Sequence, residues 1–190
     1  ITLVLMGGLC ELVQAEPSIP VTQFHEGLIR MMKLDSYAAR SQLLSGIISS
    51  NFDIKTVARI AMGRQWRKLS PEDQETIIKL MTEVILSSYA GRFPIYNNQH
   101  FEILDQVPIK PGRAILRCKL ITGNEVVDLD YQLTEVEDSW KIFDVVANGV
   151  SDLALKRATY SATFKLEGFG GVVEEIKQTI INNNITEHIQ

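Results

Sequence analysis

The chain has 190 residues, with 19 Lys and Arg against 23 Asp and Glu, a formal charge of −4 and a hydrophobic share of 45%. That length suits one ordinary domain, which hides roughly 70% of its unfolded surface on folding. The apolar share excludes a disordered chain, and 12 Gly, 6 Pro and 2 Cys exclude collagen-like and disulfide-framework classes. A pI near 5.4 argues against a nucleic-acid binder held by bulk charge.

The sustained apolar run at the start, ITLVLMGGLC, carries no charge and leads to Val13-Gln14-Ala15 before Glu16-Pro17. An apolar core followed by small residues is how a secretory signal peptide ends. The run is too short for a bilayer, which takes about 20 apolar residues. Residues 1–15 are therefore expected to be the C-terminal part of a signal peptide cut after Ala15, and residues 16–190 one exported domain. Leu9 before Cys10 is not the small residue a lipoprotein signal requires. Cys118 is then the remaining cysteine, so the exported domain must rely on its core rather than on a disulfide.

Residues 21–34 place Phe24, Leu28, Ile29, Met31 and Met32 at helical spacing, and a second helix is expected over Tyr37 to Ile48. Asp53 is suited to cap a third helix from Ile54, with Gly63 near its end. Ser70-Pro71-Glu72-Asp73 is the strongest local signal. It combines an N-cap, a proline preorganised for the first helical position, and acids that favour the helix dipole. The helix it starts should run to about Phe93, with Pro94 blocking continuation.

After Asn97-Asn98 the apolar period falls from about 3.6 to 2. A first strand starts at Phe101 and Ile103 and is expected to stop near Pro108 and Pro111-Gly112. Ala114, Leu116, Cys118 and Leu120 make a second strand, and Thr122-Gly123-Asn124 a hairpin. Val127, Leu129, Tyr131 and Leu133 form a third, and Trp140 to Ala147 a fourth, closed by Asn148-Gly149. Two helices are expected near 151–165 and 170–182. Helices, then a four-strand meander, then helices define an α+β fold whose antiparallel sheet buries one face.

Reaction chemistry is hard to find in these residues. His25, His100 and His188 are scattered without metal-ligand spacing. No phosphate loop, nucleophile elbow or EF-hand occurs. Gly168-Phe169-Gly170-Gly171 follows no strand and has no Lys-Ser/Thr after it, so it reads as a helix-breaking turn. Asp128 and Asp130 share one strand face and read as solvated acids.

Two stretches carry a resemblance. Residues 52–96 read FDIKTVARIAMGRQWRKLSPEDQETIIKLMTEVILSSYAGRFPIY, and residues 129–160 read LDYQLTEVEDSWKIFDVVANGVSDLALKRATY. They resemble the "FD…AR…G…WR…SPE" and "DY…W…DV…GVS…R" signatures of the MlaC/toluene-tolerance family. The resemblance implies a twisted four-stranded sheet wrapped by about six helices, cone-like around an apolar lipid cavity. It implies a periplasmic lipid carrier without cofactor or enzymatic activity, working as a monomer. The implied partners are a lipid ligand, an inner-membrane ABC transporter complex and an outer-membrane lipoprotein complex, with no nucleic acid. After GVS, the segment from Asp152 to Arg157, followed by Tyr160 and Glu167-Gly168-Phe169, is more similar to the hopanoid-biosynthesis-associated (HpnM-like) branch, which makes the ligand a phospholipid or a hopanoid.

For such a carrier the candidate cavity residues are Met81, Ile85, Tyr89 and Phe93, then Leu129, Tyr131 and Leu133, then Val146, Val150, Tyr160 and Phe164. The competing reading is that they fill a dry core. Residues 54–68 carry Lys55, Arg59, Arg64, Arg67 and Lys68 with no acid, while residues 124–138 carry six acids with no base. Arg64, Arg67 and Arg157 are the candidate headgroup or partner contacts. Two alternatives stand beside the carrier: an enzyme using a pocketed acid such as Asp144, and a hopanoid-export adaptor with no bound lipid.

Overall fold

The computed structural model describes residues 16–185, so the expected signal-peptide remnant lies outside it. Helices α1 (Ser18–Met31), α2 (Tyr37–Asn51) and α3 (Ile54–Met62) come first, then a 3-10 segment (Gly63–Lys68) and the long α4 (Pro71–Arg92). The caps expected at Asp53 and Ser70 form, and Ser36 caps α2 in the same way. Ser36 Oγ accepts the Ala39 N–H at 3.2 Å, Asp53 Oδ1 that of Thr56 at 3.0 Å, and Ser70 Oγ that of Asp73 at 3.1 Å. Strands β1 (His100–Lys110), β2 (Arg113–Thr122), β3 (Glu125–Val136) and β4 (Ser139–Ala147) follow, then β5 (Val150–Ser151) and α5 (Asp152–Ile185).

The strands form one antiparallel meander in chain order, β1-β2-β3-β4-β5. The fifth strand exceeds the four expected from periodicity. Asn148 (φ 48°) and Gly149 (φ 80°) turn the chain tightly enough for Val150 to pair with Ala147 and Ser151 with Val146. Two residues are too few to show a period. Ser151 Oγ then accepts the Ala154 N–H at 2.9 Å and launches α5. The two expected final helices are the two halves of α5, broken at Gly168, whose φ of 71° and ψ of −162° lie outside helical space.

Pro108 does not end β1, which runs on to Lys110. It lies at an edge of the sheet, where a missing N–H is tolerated. Register shifts fall between Ile103 and Asp105 and between Pro108 and Lys110, so the free edge is twice irregular. A third shift falls between Gln132 and Leu133, which pair with Asp144 and Ile142 and leave Phe143 as the extra residue on β4.

Two separate apolar cores form. In the first, Val21, Phe24, Leu28 and Met31 of α1 and Leu44 and Ile48 of α2 cover Leu116, Cys118, Tyr131, Leu133 and Ile142 of the sheet. Alternation along β2 and β3 predicts that sheet face. In the second, Val57, Ala58, Ala61 and Met62 of α3 meet Ile77, Met81 and Val84 of α4 and Leu153, Tyr160, Val172 and Ile176 of α5. Trp66, 8% exposed, joins this second core from the 3-10 segment between α3 and α4. The Asp53 N–H donates to the Ile142 carbonyl at 2.9 Å, tying the α2–α3 junction to β4. Arg40, only 2% exposed, donates to the carbonyls of Ala90 and Leu34 at 3.1 and 3.2 Å and fastens α2 to the end of α4.

Helices α4 and α5 approach closely at Gly91, where a Cβ would stand 2.6 Å from the Asn183 carbonyl oxygen. Gly91→Ala should lower stability by about 1–3 kcal/mol. Gly46→Ala in α2, where a Cβ meets nothing within 4 Å, should raise it by up to about 1 kcal/mol. Thermal melts of the two variants check the pair, and equal melting temperatures would refute the close α4–α5 contact.

Candidate functional site: an apolar cavity between the two cores

The cores do not merge. Between them lies a cavity of about 450 Å³, within the range of roughly 300–1,000 Å³ usual for small-molecule sites. One wall is α4, which contributes Met81, Ile85 and Tyr89 at turn-by-turn spacing, with Phe93 at its C-cap. The facing wall is the inner face of the sheet, with Phe101, Leu120, Val127, Leu129 and Tyr131. Leu28, Phe52 and Val57 also line it, as do Val150 and, from α5, Leu153 and Lys156.

Seven of the eleven candidate cavity residues therefore share this wall: Met81, Ile85, Tyr89, Phe93, Leu129, Tyr131 and Val150. The other four are placed elsewhere. Leu133 pairs with Ile142 and is fully buried in the first core. Val146 pairs with Asp130, whereas the neighbours that pair with wall residues Tyr131 and Leu129 are Val145 and Ala147, and those two line the cavity. Tyr160 belongs to the second core and Phe164 packs against it. Arg64 and Arg67 are exposed on the 3-10 segment. Arg157 is exposed on α5, with its Nε within 3.3 Å of where a Gly63 Cβ would stand. None of the three arginines lines the cavity, whose cations are Arg92 and Lys156.

Tyr131 is held in place from behind. Its hydroxyl lies 2.9 Å from His25 Nε2, and the imidazole stacks on Phe101 at 4.0 Å between centroids with an 11° tilt. Burial lowers the His25 pKa to about 3 and raises that of Tyr131 well above its ordinary value, so both are neutral at pH 7. Tyr89 packs edge-on against Phe24 at 4.9 Å and parallel to Phe93 at 6.3 Å. Burial raises the Tyr89 pKa too, with Asp152 and Asp144 adding to the rise and Arg92 opposing it.

One buried acid interrupts the apolar lining. Asp144, 9% exposed, sits where the β4 bulge puts three consecutive residues, Phe143, Asp144 and Val145, on the cavity wall. Strict alternation would allow only every second residue there. Asp144 Oδ2 accepts from Ser151 Oγ at 2.7 Å and Gln132 Nε2 at 3.3 Å. Burial raises its pKa, while the bond from Ser151 and the nearby backbone N–H groups of Leu153 and Val145 hold the rise back. Cys118 lies in the first core beside the wall residue Leu129 but does not itself line the cavity, and burial, then the charge of Asp130, pushes its thiol up to about 12, which leaves no thiolate at neutral pH. Among the described residues no cluster of His, Cys, Asp and Glu is arranged to hold a metal. No described helix is long and apolar enough to cross a membrane.

An open antiparallel sheet with helices closing an apolar chamber against it defines a cavity-bearing α+β binding fold. A family model described as MlaC protein matches residues 23–178, and the chain belongs to the MlaC family. It is similar to the toluene tolerance protein ttg2D of Pseudomonas putida, 22% identical over 158 residues that make up 77% of this chain and 72% of that one. It is also similar to the intermembrane phospholipid transport system binding protein MlaC of Haemophilus influenzae, 23% identical over 123 residues, 62% of this chain and 58% of the relative. Among solved structures, a phospholipid-binding protein from Ralstonia solanacearum, determined in complex with a phospholipid, shares the fold with a TM-score of 0.80 at 22% identity, covering 89% of this chain and 99% of that one.

The His25 environment has a measurable signature. A histidine whose folded pKa lies near 3 and whose unfolded value is 6.5 takes up a proton on unfolding anywhere between them. Stability contributed by its neutral form is complete above the unfolded value and is lost as pH falls, by about 1.4 kcal/mol per pH unit in that window. Urea unfolding at pH 7 and pH 5 should show this loss in the wild type, and His25→Gln should remove that share of the pH dependence. The same pH slope in both proteins would sink the assignment.

Proposed function

We propose that the protein is a periplasmic phospholipid carrier, holding acyl chains in the cavity between its two cores and moving them between membrane complexes. The observation that carries this reading is a mainly apolar cavity of about 450 Å³ in a chain of the MlaC family. Each methylene kept from water is worth about 0.8 kcal/mol, and aromatic and aliphatic walls supply that shelter without any reacting group. The names of the relatives point the same way: one is a binding protein of an intermembrane phospholipid transport system, and the Ralstonia solanacearum structure contains a phospholipid. No step of the proposed activity needs Asp144 as an acid or base.

Native mass spectrometry of residues 16–190, isolated from periplasm without detergent and followed by lipid identification, tests this. One bound phospholipid is the expected result. A polycyclic lipid would place the chain with the hopanoid branch, and a folded protein without lipid would favour the adaptor. Ile85→Trp, which puts a large ring on the cavity wall, should lower the lipid-bound fraction while leaving the circular dichroism spectrum unchanged.

Transfer at membranes requires docking, and the exposed Arg64, Arg67 and Arg157 are assigned to contact with an acidic surface of a membrane complex. Their absence from the cavity lining favours a partner over a headgroup. Charges on such a rim act mainly on encounter rate. Arg64→Glu with Arg67→Glu should slow association with purified transporter or lipoprotein complexes at low salt and leave the lipid content of the carrier unchanged. Unaltered association would remove this assignment.

A further inference from the structure

Two lining residues of the cavity flank a loop that does not line it. Phe93, the C-cap of α4, and Gln99, just before β1, both belong to the wall, and residues 94–98 run between them. The cavity extends to the end of the sheet where β1 begins. Phe101, Leu120 and Val127 line it in one paired row, and Thr122 and Glu125, the pair that closes the β2–β3 hairpin, line it beyond that row. The loop is held through its backbone. The Tyr96 N–H donates to the Met32 carbonyl at 3.1 Å, Gln99 Nε2 donates to the Ile95 carbonyl at 3.2 Å, and Gln99 Oε1 accepts the Asn97 N–H. Gln99 is only 9% exposed, so a buried side chain of the cavity wall sets the shape of the loop. What the loop displays is apolar: Ile95 is 68% exposed and Tyr96 36%. Lys33, just after α1, stands 4.7 Å from the centroid of the Tyr96 ring.

We propose that Ile95 and Tyr96 form a membrane-contact tip, which sets this end of the cavity against the surface of a lipid bilayer. The proposal rests on the carrier reading and adds to it the surface that the cavity faces. Size argues for a bilayer over a protein. A stable protein interface takes about 800 Å² from each partner, and here two apolar side chains stand among the polar Asp35, Ser36, Asn97 and Asn98. A bilayer asks for no matching shape. Composition argues the same way: an aliphatic side chain enters the acyl boundary, a tyrosine keeps its ring there and its hydroxyl wet, and a lysine reaches the headgroups. Lys33 and Asp35 share one depression with Ile95 and Tyr96 and cancel in charge, so the contact rests on the apolar tip. Gln99 then joins the two surfaces, with its side chain on the loop backbone and its place in the cavity wall.

Fluorescence quenching read at single positions tests the tip. The full chain carrying Tyr96→Trp is mixed with vesicles of phosphatidylcholine brominated in its acyl chains, and Lys110→Trp, at the opposite end of β1, serves as the control. The fluorescence added at position 96 should be quenched, that added at position 110 should not, and the quenching should vanish when the protein is separated from the vesicles. Ile95→Ser in the Tyr96→Trp chain should weaken vesicle partitioning about tenfold, the ratio that about 1.4 kcal/mol produces. No quenching at position 96, or equal quenching at both positions, overturns the tip. So does quenching that persists undiminished after separation, because it then comes from lipid carried in the cavity. If position 96 stays unquenched while Ile95→Ser slows association with purified transporter or lipoprotein complexes, the tip is a protein contact and the proposal falls. Lipid bound to the wild type, read by native mass spectrometry, decides the carrier reading separately: it can stand while the tip fails, and fail while position 96 is quenched.

Discussion

Helix α4 has to satisfy two cores at once, and the cavity follows from that demand. Its Ile77, Met81 and Val84 are committed to α3 and α5, while Ala90 at its far end is committed to α1, α2 and the sheet. Arg40 fixes that far end by donating to the Ala90 carbonyl, a bond whose loss would leave a buried guanidinium short of an acceptor. A helix anchored at both ends is held back from collapsing onto the sheet along its middle. Ile85 and Tyr89, the residues between the two anchors, are left as wall rather than as filling.

The sheet contributes the opposite surface by an equally simple rule. Leu120, Val127, Leu129 and Tyr131 face inward because alternation puts them there, and the bond between Tyr131 and His25 prevents the phenol from swinging into the chamber. That bond is between two neutral groups, since burial keeps the imidazole unprotonated at neutral pH. Charged side chains interrupt the lining at separate points: Arg92 ends α4, Glu125 begins β3, Asp144 lies at the β4 bulge, and Asp152 and Lys156 lie near the start of α5.

Much of this was legible in the residues. The caps at Asp53 and Ser70, the change of period after Asn97, and the alternation of Leu129 and Tyr131 each have a local physical cause, and each is found where that cause places it. Two kinds of feature were not legible. The first is the bulge at Phe143: an extra residue leaves no mark in a one-dimensional pattern, so Val146 looked equivalent to its neighbours although Val145 and Ala147 take the wall. The second is the choice between cores. Tyr160, Phe164 and Met81 all look like inward residues of amphipathic helices, yet only Met81 reaches the cavity, because helix packing decides which inward direction is which. Arg92 and Lys156 went unnoticed for a related reason, as single charges at helix ends carry no periodic signal.

Strand β1 has a consequence for the protein in a crowded compartment. A flat outer strand carrying exposed Ile103, Leu104 and Ile109 would be a template on which a second molecule extends the sheet. Here its two register shifts and Pro108 break the row of donors and acceptors that such growth needs. The irregular edge therefore acts as a guard against self-assembly into fibres.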